Sequence, residues 1–130
     1  MPLKRIRLEL ARTHDFPNGS QDRGYDFVAP LTEDGHLDSS SWADDAPYCT
    51  VRRFWPGEDD QHGHLRRTRG GRWVFHYDGM EEDIDEPIFA LDRHILVEGD
   101  YITITEHDEE QLPFRITRVS TIAPAALRKK

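Results

Sequence analysis

The chain alternates hydrophobic and polar residues with a period of two along much of its length. In residues 4–11 the aliphatic side chains of Ile6, Leu8 and Leu10 alternate with charged ones. Successive side chains of an extended strand point to opposite faces, so this alternation places the aliphatic residues on one face. The segment is therefore predicted to be a strand that is buried on one side only.

A hairpin is predicted in the middle of the chain. Two alternating runs, residues 64–68 and 72–77, flank the pair Gly70 and Gly71. Glycine tolerates the positive φ that a tight hairpin turn requires, so the glycine pair and the two runs together predict a β-hairpin.

A second hairpin is predicted from residues 101–106 and 112–119. Its first arm carries Ile102 and Ile104 on one face and hydroxyl-bearing residues on the other. Pro113 predicts that the returning arm begins at a sheet edge, because proline has no N–H to donate to a neighbouring strand.

The same reasoning predicts four further strands. They are residues 24–31, 47–55, 87–91 and 94–97. The core-facing positions expected in the second strand and in the first hairpin are Tyr25, Phe27, Ala29, Trp73, Phe75 and Tyr77. The long connection at residues 32–46 is predicted to hold a short helix at 39–45, which Asp38 or Ser39 would cap.

These elements predict an all-β fold, a small antiparallel barrel or sandwich of about 7–8 short strands with at most one or two short helices. Meander and Greek-key connections both fit the hairpins. An α/β fold is excluded because no amphipathic helix has the length needed to cross between parallel strands.

Length and composition are those of a soluble globular domain. The chain has 130 residues, of which 36% are hydrophobic and 32% charged. This length predicts a single domain over residues 1–130, with a basic tail at residues 120–130. The chain begins without the continuous apolar stretch of a secretion signal and has no apolar run long enough to span a membrane. A cytoplasmic location without membrane association is therefore expected.

The net charge of -8 is unevenly distributed along the chain. Residues 1–72 carry a net charge of -1, residues 73–112 a net charge of -12, and residues 113–130 a net charge of +5. The middle segment repels nucleic acid, so nucleic acid is not an expected partner. Charge runs of this kind are typical of solvated or interacting surfaces.

A candidate metal site is the run that contains Asp60, His62 and His64. Two histidines at positions i and i+2 of a strand point the same way, so both imidazoles can reach one divalent ion, with the aspartate as a third ligand. The run resembles the His-x-His part of the cupin metal motif, and cupins are all-β barrels. The resemblance implies a metal-dependent enzyme.

The rest of the cupin motif is not present. That motif has a glutamate four to five residues after the second histidine, where this chain has Thr68 and Arg69. Gly63 between the histidines favours the alternative interpretation, a solvent-exposed loop that holds no metal.

Cys49 is the single cysteine, so the chain has no internal disulfide. Arg52 and Arg53 nearby would lower the pKa of its thiol and favour a nucleophilic thiolate. The alternative is a small buried hydrophobic residue, which its place between Tyr48 and Val51 favours. No catalytic residue is assigned.

A candidate binding surface combines arginines and tryptophans. Its residues are Arg52, Arg53, Arg66, Arg67, Arg69, Arg72, Trp55 and Trp73. Arginine and aromatic side chains are enriched at protein interfaces. The sequence thus favours a non-catalytic binding or protein-interaction module without a cofactor, whose partner is another protein or a second copy of this chain. The cupin-like enzyme with one divalent metal ion is the alternative.

Overall fold

The computed structural model describes residues 3–79, 85–88, 91–106 and 109–122, and these residues form an antiparallel sheet curved into a nearly closed barrel. Eight strands lie within the described ranges. They are β1 (Leu3–Leu10), β2 (Ser20–Pro30), β3 (Thr50–Phe54), β4 (Gln61–Arg67), β5 (Trp73–Tyr77), β6 (Glu86–Pro87), β7 (Tyr101–Thr105) and β8 (Gln111–Thr121). A short helix α1 (Ser39–Asp45) and two 3-10 helices, Ala46–Tyr48 and Leu91–Arg93, lie in the connections.

The barrel is an up-and-down meander. The strands are ordered β6-β5-β4-β3-β2-β1-β8-β7, and each neighbouring pair is antiparallel. Among the described residues, the two ends of this sheet approach each other through one bridge, between Ile88 and Ile104. The all-β prediction is confirmed, and of the alternatives left open the structure has the barrel and the meander.

The predicted core positions are confirmed. Tyr25, Phe27, Ala29, Trp73, Phe75, Tyr77, Ile102 and Ile104 are all buried. The ring centroid of Phe75 lies 5.2 Å from those of Tyr25 and Phe27. The ring centroid of Phe114 lies 5.1 Å from that of Tyr25. Aromatic rings therefore fill the middle of the barrel, where period-two alternation in every strand directs large side chains inward.

Helix α1 forms at the predicted residues. The Asp38 side chain accepts a hydrogen bond from the backbone N–H of Ser41 at 3.1 Å, which satisfies one of the free amide groups of the first turn. Trp42 of this helix meets Trp73 edge-on at 4.9 Å. The helix is thus fixed against the outside of the barrel at one end of β5.

The prediction of a strand at residues 94–97 is wrong. Leu96 is buried while Ile95 and Val97 are exposed, so the alternation is present. The Leu96 amide, however, donates to the carbonyl of Gly35 in a loop and not to a strand. The segment is irregular because its apolar side chain covers one end of the barrel without joining the sheet.

The edge position predicted for the arm that begins near Pro113 is also wrong, because β8 lies between β1 and β7. Pro113 lies just past Leu10 and Phe114, the last pair of the β1–β8 ladder, and its carbonyl accepts from the Ala11 amide at 3.0 Å. The missing N–H of Pro113 therefore removes no bond from the ladder.

Other predicted boundaries shift or fall outside the described residues. The strand predicted at 47–55 begins at Thr50, after a 3-10 helix. The strand predicted at 87–91 is represented by β6, and its residues 89–90 lie outside the described ranges. Most of the predicted basic tail, residues 123–130, also lies outside them.

Gly63 is required by the close approach of β4 to β5, which gives a testable prediction. A Cβ atom at this position would lie 1.9 Å from the carbonyl oxygen of His76 and 2.7 Å from the Cα of Tyr77. We expect Gly63→Ala to lower the free energy of unfolding by about 2 kcal/mol or more, because two backbones must separate to admit the methyl group. Chemical denaturation measures the change.

The matched control is Gly70→Ala in the turn that follows. A Cβ atom at Gly70 would meet only the Thr68 hydroxyl, at 3.9 Å, so this variant should unfold close to wild type. Equal stability of the two variants would contradict the assigned β4–β5 register.

Candidate functional site

Four exposed arginines lie on the hairpin formed by β4 and β5. Arg66 and Arg67 end β4, while Arg69 and Arg72 belong to the turn. The turn is closed by a hydrogen bond from the Thr68 amide to the Arg72 carbonyl at 2.8 Å. We call these four side chains the basic hairpin.

The arginines of the basic hairpin carry no ion pair among the described residues. Arg67 stacks over the buried ring of Trp73, 5.6 Å from its centroid. The other three extend from a hairpin whose backbone is held by the barrel. Four guanidinium groups are therefore presented together to solvent on a rigid support.

An open groove of about 460 Å³ lies beside the basic hairpin, between β4 and the segment that joins α1 to β3. Its apolar wall is formed by Trp42, Ala46, Pro47 and Leu65. Arg66 and Arg67 border the groove on the side of the hairpin turn. We call this feature the Trp42 groove.

Two histidines form the other border of the Trp42 groove. His64 and His76 are paired across β4 and β5 and both line it. His76 Nδ1 lies 2.6 Å from a carboxylate oxygen of Asp85, and His64 Nδ1 lies 3.6 Å from one of Asp78. The histidines of this border therefore have carboxylate partners, and Asp85 also lines a recess that Arg66 and Arg67 share.

The other predicted binding residues are distributed away from the basic hairpin. Arg52 points outward and bridges Asp26 at 2.5 Å and Asp60 at 2.9 Å, so its charge is compensated within the chain. The hydrogen bonds that Arg52 donates to Asp26 and Asp60 raise the pKa of Arg52 against the effect of its partial burial. Trp55 is half-buried, and the Arg53 guanidinium lies 4.4 Å from its ring centroid.

Arg53 and Trp73 lie inside the barrel. Arg53 is 4% exposed and Trp73 is 2% exposed. The eight residues of the sequence-predicted surface thus separate. Four are exposed on the hairpin, Arg52 belongs to an outer ion-pair network, Trp55 is half-buried, and Arg53 and Trp73 are in the interior.

The candidate metal ligands lie on and beside β4. His62 and His64 belong to this strand, so the loop interpretation is wrong, and Gly63 serves the close contact with β5 described above. Asp60, the predicted third ligand, is bound by Arg52. Within the described ranges no group of three or more His, Cys, Asp or Glu residues is placed to hold a metal ion.

Cys49 is buried beneath the end of α1. Burial, followed by the nearby Asp45 carboxylate, raises the pKa of its thiol to about 12. The expected effect of the neighbouring arginines is therefore wrong, because Arg52 points outward to Asp26 and Asp60 while Arg53 points into the barrel. Cys49 is a neutral thiol near neutral pH, and the interpretation as a small buried residue is the one the structure supports.

Sequence reasoning missed a polar cluster inside one end of the barrel, which we call the interior cluster. Arg53 Nη2 donates to Glu106 at 2.8 Å, and Arg53 Nε lies 3.7 Å from Glu86. The Tyr77 hydroxyl donates to Glu86 at 2.5 Å. The Tyr25 hydroxyl contacts both carboxyl groups, Glu86 at 3.1 Å and Glu106 at a shorter distance.

The Tyr25 hydroxyl has one proton and lies within hydrogen-bonding distance of both carboxyl groups. Two buried carboxyl groups thus share a single guanidinium and two tyrosine hydroxyls inside the barrel.

The pKa directions agree with this arrangement. Burial and the charge of Glu86 raise the pKa of Glu106. Burial also raises the pKa of the Tyr25 and Tyr77 hydroxyls well above the ordinary value, and Glu86 adds to both effects. Burial is the largest single effect on Arg53 and lowers its pKa, but the bond to Glu106 together with the charges of the surrounding acidic groups outweighs burial, and the pKa of Arg53 is raised.

A pocket of about 170 Å³ opens at the same end of the barrel. Arg53, Glu106 and Trp55 contribute to its wall. Glu58, which is half exposed, reaches Arg53 Nη1 at 3.1 Å and covers the guanidinium on the solvent side. Arg53 is therefore surrounded by three carboxyl groups, one of which is contributed by a turn.

One sequence signal could have located part of the interior cluster. Period-two alternation in β3 places Arg53 on the same face as Val51, which faces the core. Glu86 and Glu106 had no such signal, because each lies in a run of acidic residues that resembles a solvated connection.

Comparison with known proteins leaves the family open. A scan against protein-family models finds no matching family, and searches of curated proteins and of solved structures find no significant match. Within the part of the chain that the structure describes, no helix is long and apolar enough to cross a membrane. The functional argument therefore depends on the geometry of this chain.

The raised pKa of Glu106 predicts how stability varies with pH. A carboxyl group whose pKa is higher in the folded state stabilises the fold below its unfolded pKa of about 4.3, and this contribution is lost as the pH rises through the folded pKa. We expect the free energy of unfolding of wild type to fall relative to that of Glu106→Gln by up to about 1.4 kcal/mol per pH unit in this window. Urea denaturation over a pH series measures both proteins.

Glutamine keeps a donor and an acceptor at position 106 but does not titrate, which makes it the informative substitution. The control is Glu33→Gln, which removes an exposed carboxylate from the loop after β2. Parallel curves for wild type and Glu106→Gln across the whole range would show that folding does not raise the pKa of Glu106.

Proposed function

We propose that this chain is a non-catalytic protein-interaction module whose recognition surface is the basic hairpin. Its partner is an acidic segment, contributed by another protein or by a second copy of this chain. The observation that carries the proposal is the presence of four exposed arginines on one hairpin without an ion pair among the described residues.

The arrangement of the four arginines supports this assignment. Arg7, Arg52 and Arg53 each contact at least two carboxylates and therefore have structural partners, whereas the basic hairpin gathers four arginines without one among the described residues. Arginine donors form bidentate bonds with carboxylates. A carboxylate of a partner would thus find several donors on one hairpin.

The overall charge favours a short acidic partner over a long polyanion. The net charge of the chain is -8. Interactions between exposed charges fade beyond a Debye length of about 8 Å at physiological ionic strength. A short acidic segment can engage the hairpin alone, whereas a nucleic acid or an anionic membrane would also meet the acidic surfaces of the same molecule.

The test reverses the charge of the hairpin with Arg66→Glu, Arg67→Glu and Arg69→Glu together. The probe is a fluorescein-labelled peptide with the sequence of residues 78–86, which contains six carboxylates. We expect the triple variant to lose at least about tenfold in affinity by fluorescence anisotropy, because three attractive contacts become repulsive. Sedimentation velocity reports self-association in parallel.

The control makes the same charge change elsewhere with Arg5→Glu, Arg115→Glu and Arg118→Glu. These three residues are exposed on β1 and β8. Thermal unfolding verifies that both triple variants remain folded. If neither peptide affinity nor sedimentation differs between wild type and the hairpin variant, the basic hairpin is not a recognition surface.

A further inference from the structure

We propose that the Trp42 groove holds a large apolar side chain of the same partner, so the partner is an acidic segment with a hydrophobic anchor a few residues from its carboxylates. This inference rests on the proposed function of the basic hairpin and specifies the chemistry of its ligand. It follows from the rigidity of the groove, from the chemistry of its wall and from the distribution of charge at its borders.

The groove is built from groups that are already fixed. The indole N–H of Trp42 donates to the carbonyl of Leu65 at 3.0 Å, and the ring stands edge-on against Trp73. The Leu65 amide donates to the Cys49 carbonyl at 2.8 Å. The Cys49 amide donates to the Ala46 carbonyl at 3.1 Å. Hydrogen bonds thus join both sides of the groove. Little conformational entropy is therefore lost in ordering them when a ligand binds.

The wall of the groove offers apolar contact. The polar atom of the Trp42 ring and the carbonyl of Leu65 are bonded to each other, so neither is available to a ligand. Ala46 and Pro47 add side chains that have no polar atoms. Interfaces of this kind concentrate binding energy where an apolar or aromatic anchor enters a preformed recess bordered by polar residues.

The charge at the two borders sets the direction of the ligand. Arg66 and Arg67 line the Trp42 groove and also a second recess of about 510 Å³, which Arg69 lines as well. At the opposite border the Asp78 carboxylate faces His64. Asp85, which contacts His76, also lines the second recess, where three arginines outnumber it. A ligand with its anchor in the groove therefore directs its carboxylates toward the hairpin turn.

The experiment compares three labelled synthetic peptides of equal length. The first combines glutamates with a tryptophan anchor, the second has alanine in place of tryptophan, and the third keeps tryptophan but has glutamine in place of every glutamate. We expect the first to bind at least about tenfold more tightly than either of the others by fluorescence anisotropy.

The variant that tests the groove is Ala46→Glu, which introduces a bulky carboxylate into the wall. We expect it to bind the two acidic peptides with equal affinity, because the advantage of the anchor is lost while the basic hairpin is intact. The matched control is Tyr48→Ala, which removes an exposed side chain from the same 3-10 helix and should keep the preference for the anchor. Thermal unfolding verifies that both variants are folded.

The outcomes separate this inference from the proposed function. If the acidic peptides bind equally well with and without the anchor, the groove is not part of the site, although the basic hairpin still is. If no acidic peptide binds, the proposed function fails together with this inference. Tighter binding of single-stranded oligonucleotides or anionic vesicles, lost in Ala46→Glu, would overturn the assignment of an acidic peptide.

Discussion

The barrel depends on an interaction between side chains where its backbone ladder is weakest. Strand β6 has two residues, and the described contact between the β6 and β7 ends of the sheet is the single bridge Ile88–Ile104. The interior cluster spans this seam, because Arg53 of β3 contacts Glu86 of β6 and Glu106 at the end of β7. An ion pair in the interior replaces part of the hydrogen bonding that a longer strand would supply.

Such an arrangement has an energetic cost, which explains its composition. Burial of a guanidinium and of carboxylates is unfavourable unless each charge is paired and each polar atom is bonded. The two tyrosine hydroxyls supply the remaining hydrogen bonds to Glu86 and Glu106, and Glu58 covers the guanidinium on the solvent side.

The basic hairpin and the interior cluster place arginines in two different roles. The charge of Arg53 is compensated by carboxyl groups. Its contacts connect the β6 and β7 ends of the sheet. The arginines at the β4–β5 turn extend from strands that the aromatic core and helix α1 hold in place, with Arg67 directly above Trp73. The surface proposed for binding is therefore supported by the same core that the cluster helps to close.

The sequence determined most of the fold but little of the site. Alternation at residues 4–11 predicted β1, and the runs around Gly70 and Gly71 predicted the β4–β5 hairpin, because successive side chains of a strand point to opposite faces. The same alternation at residues 94–97 belongs to an irregular segment. The interior cluster was not predictable, since the partners of Arg53 come from acidic segments far apart in sequence. Helix α1 was predicted, but nothing in its sequence indicated that Trp42 would form the wall of a groove.

The pairing of the first strand with the last one has a consequence for how the chain folds. Strand β1 lies between β2 and β8, and the Ile122 amide donates to the Leu3 carbonyl, so the sheet joins segments at opposite ends of the described chain. Contacts of such long sequence separation are slow to form, because the loop-closure entropy is lost before the contacts stabilise the fold. Until β8 arrives, β1 is an exposed edge rich in aliphatic side chains, and a nascent chain at this stage is open to pairing with its neighbours.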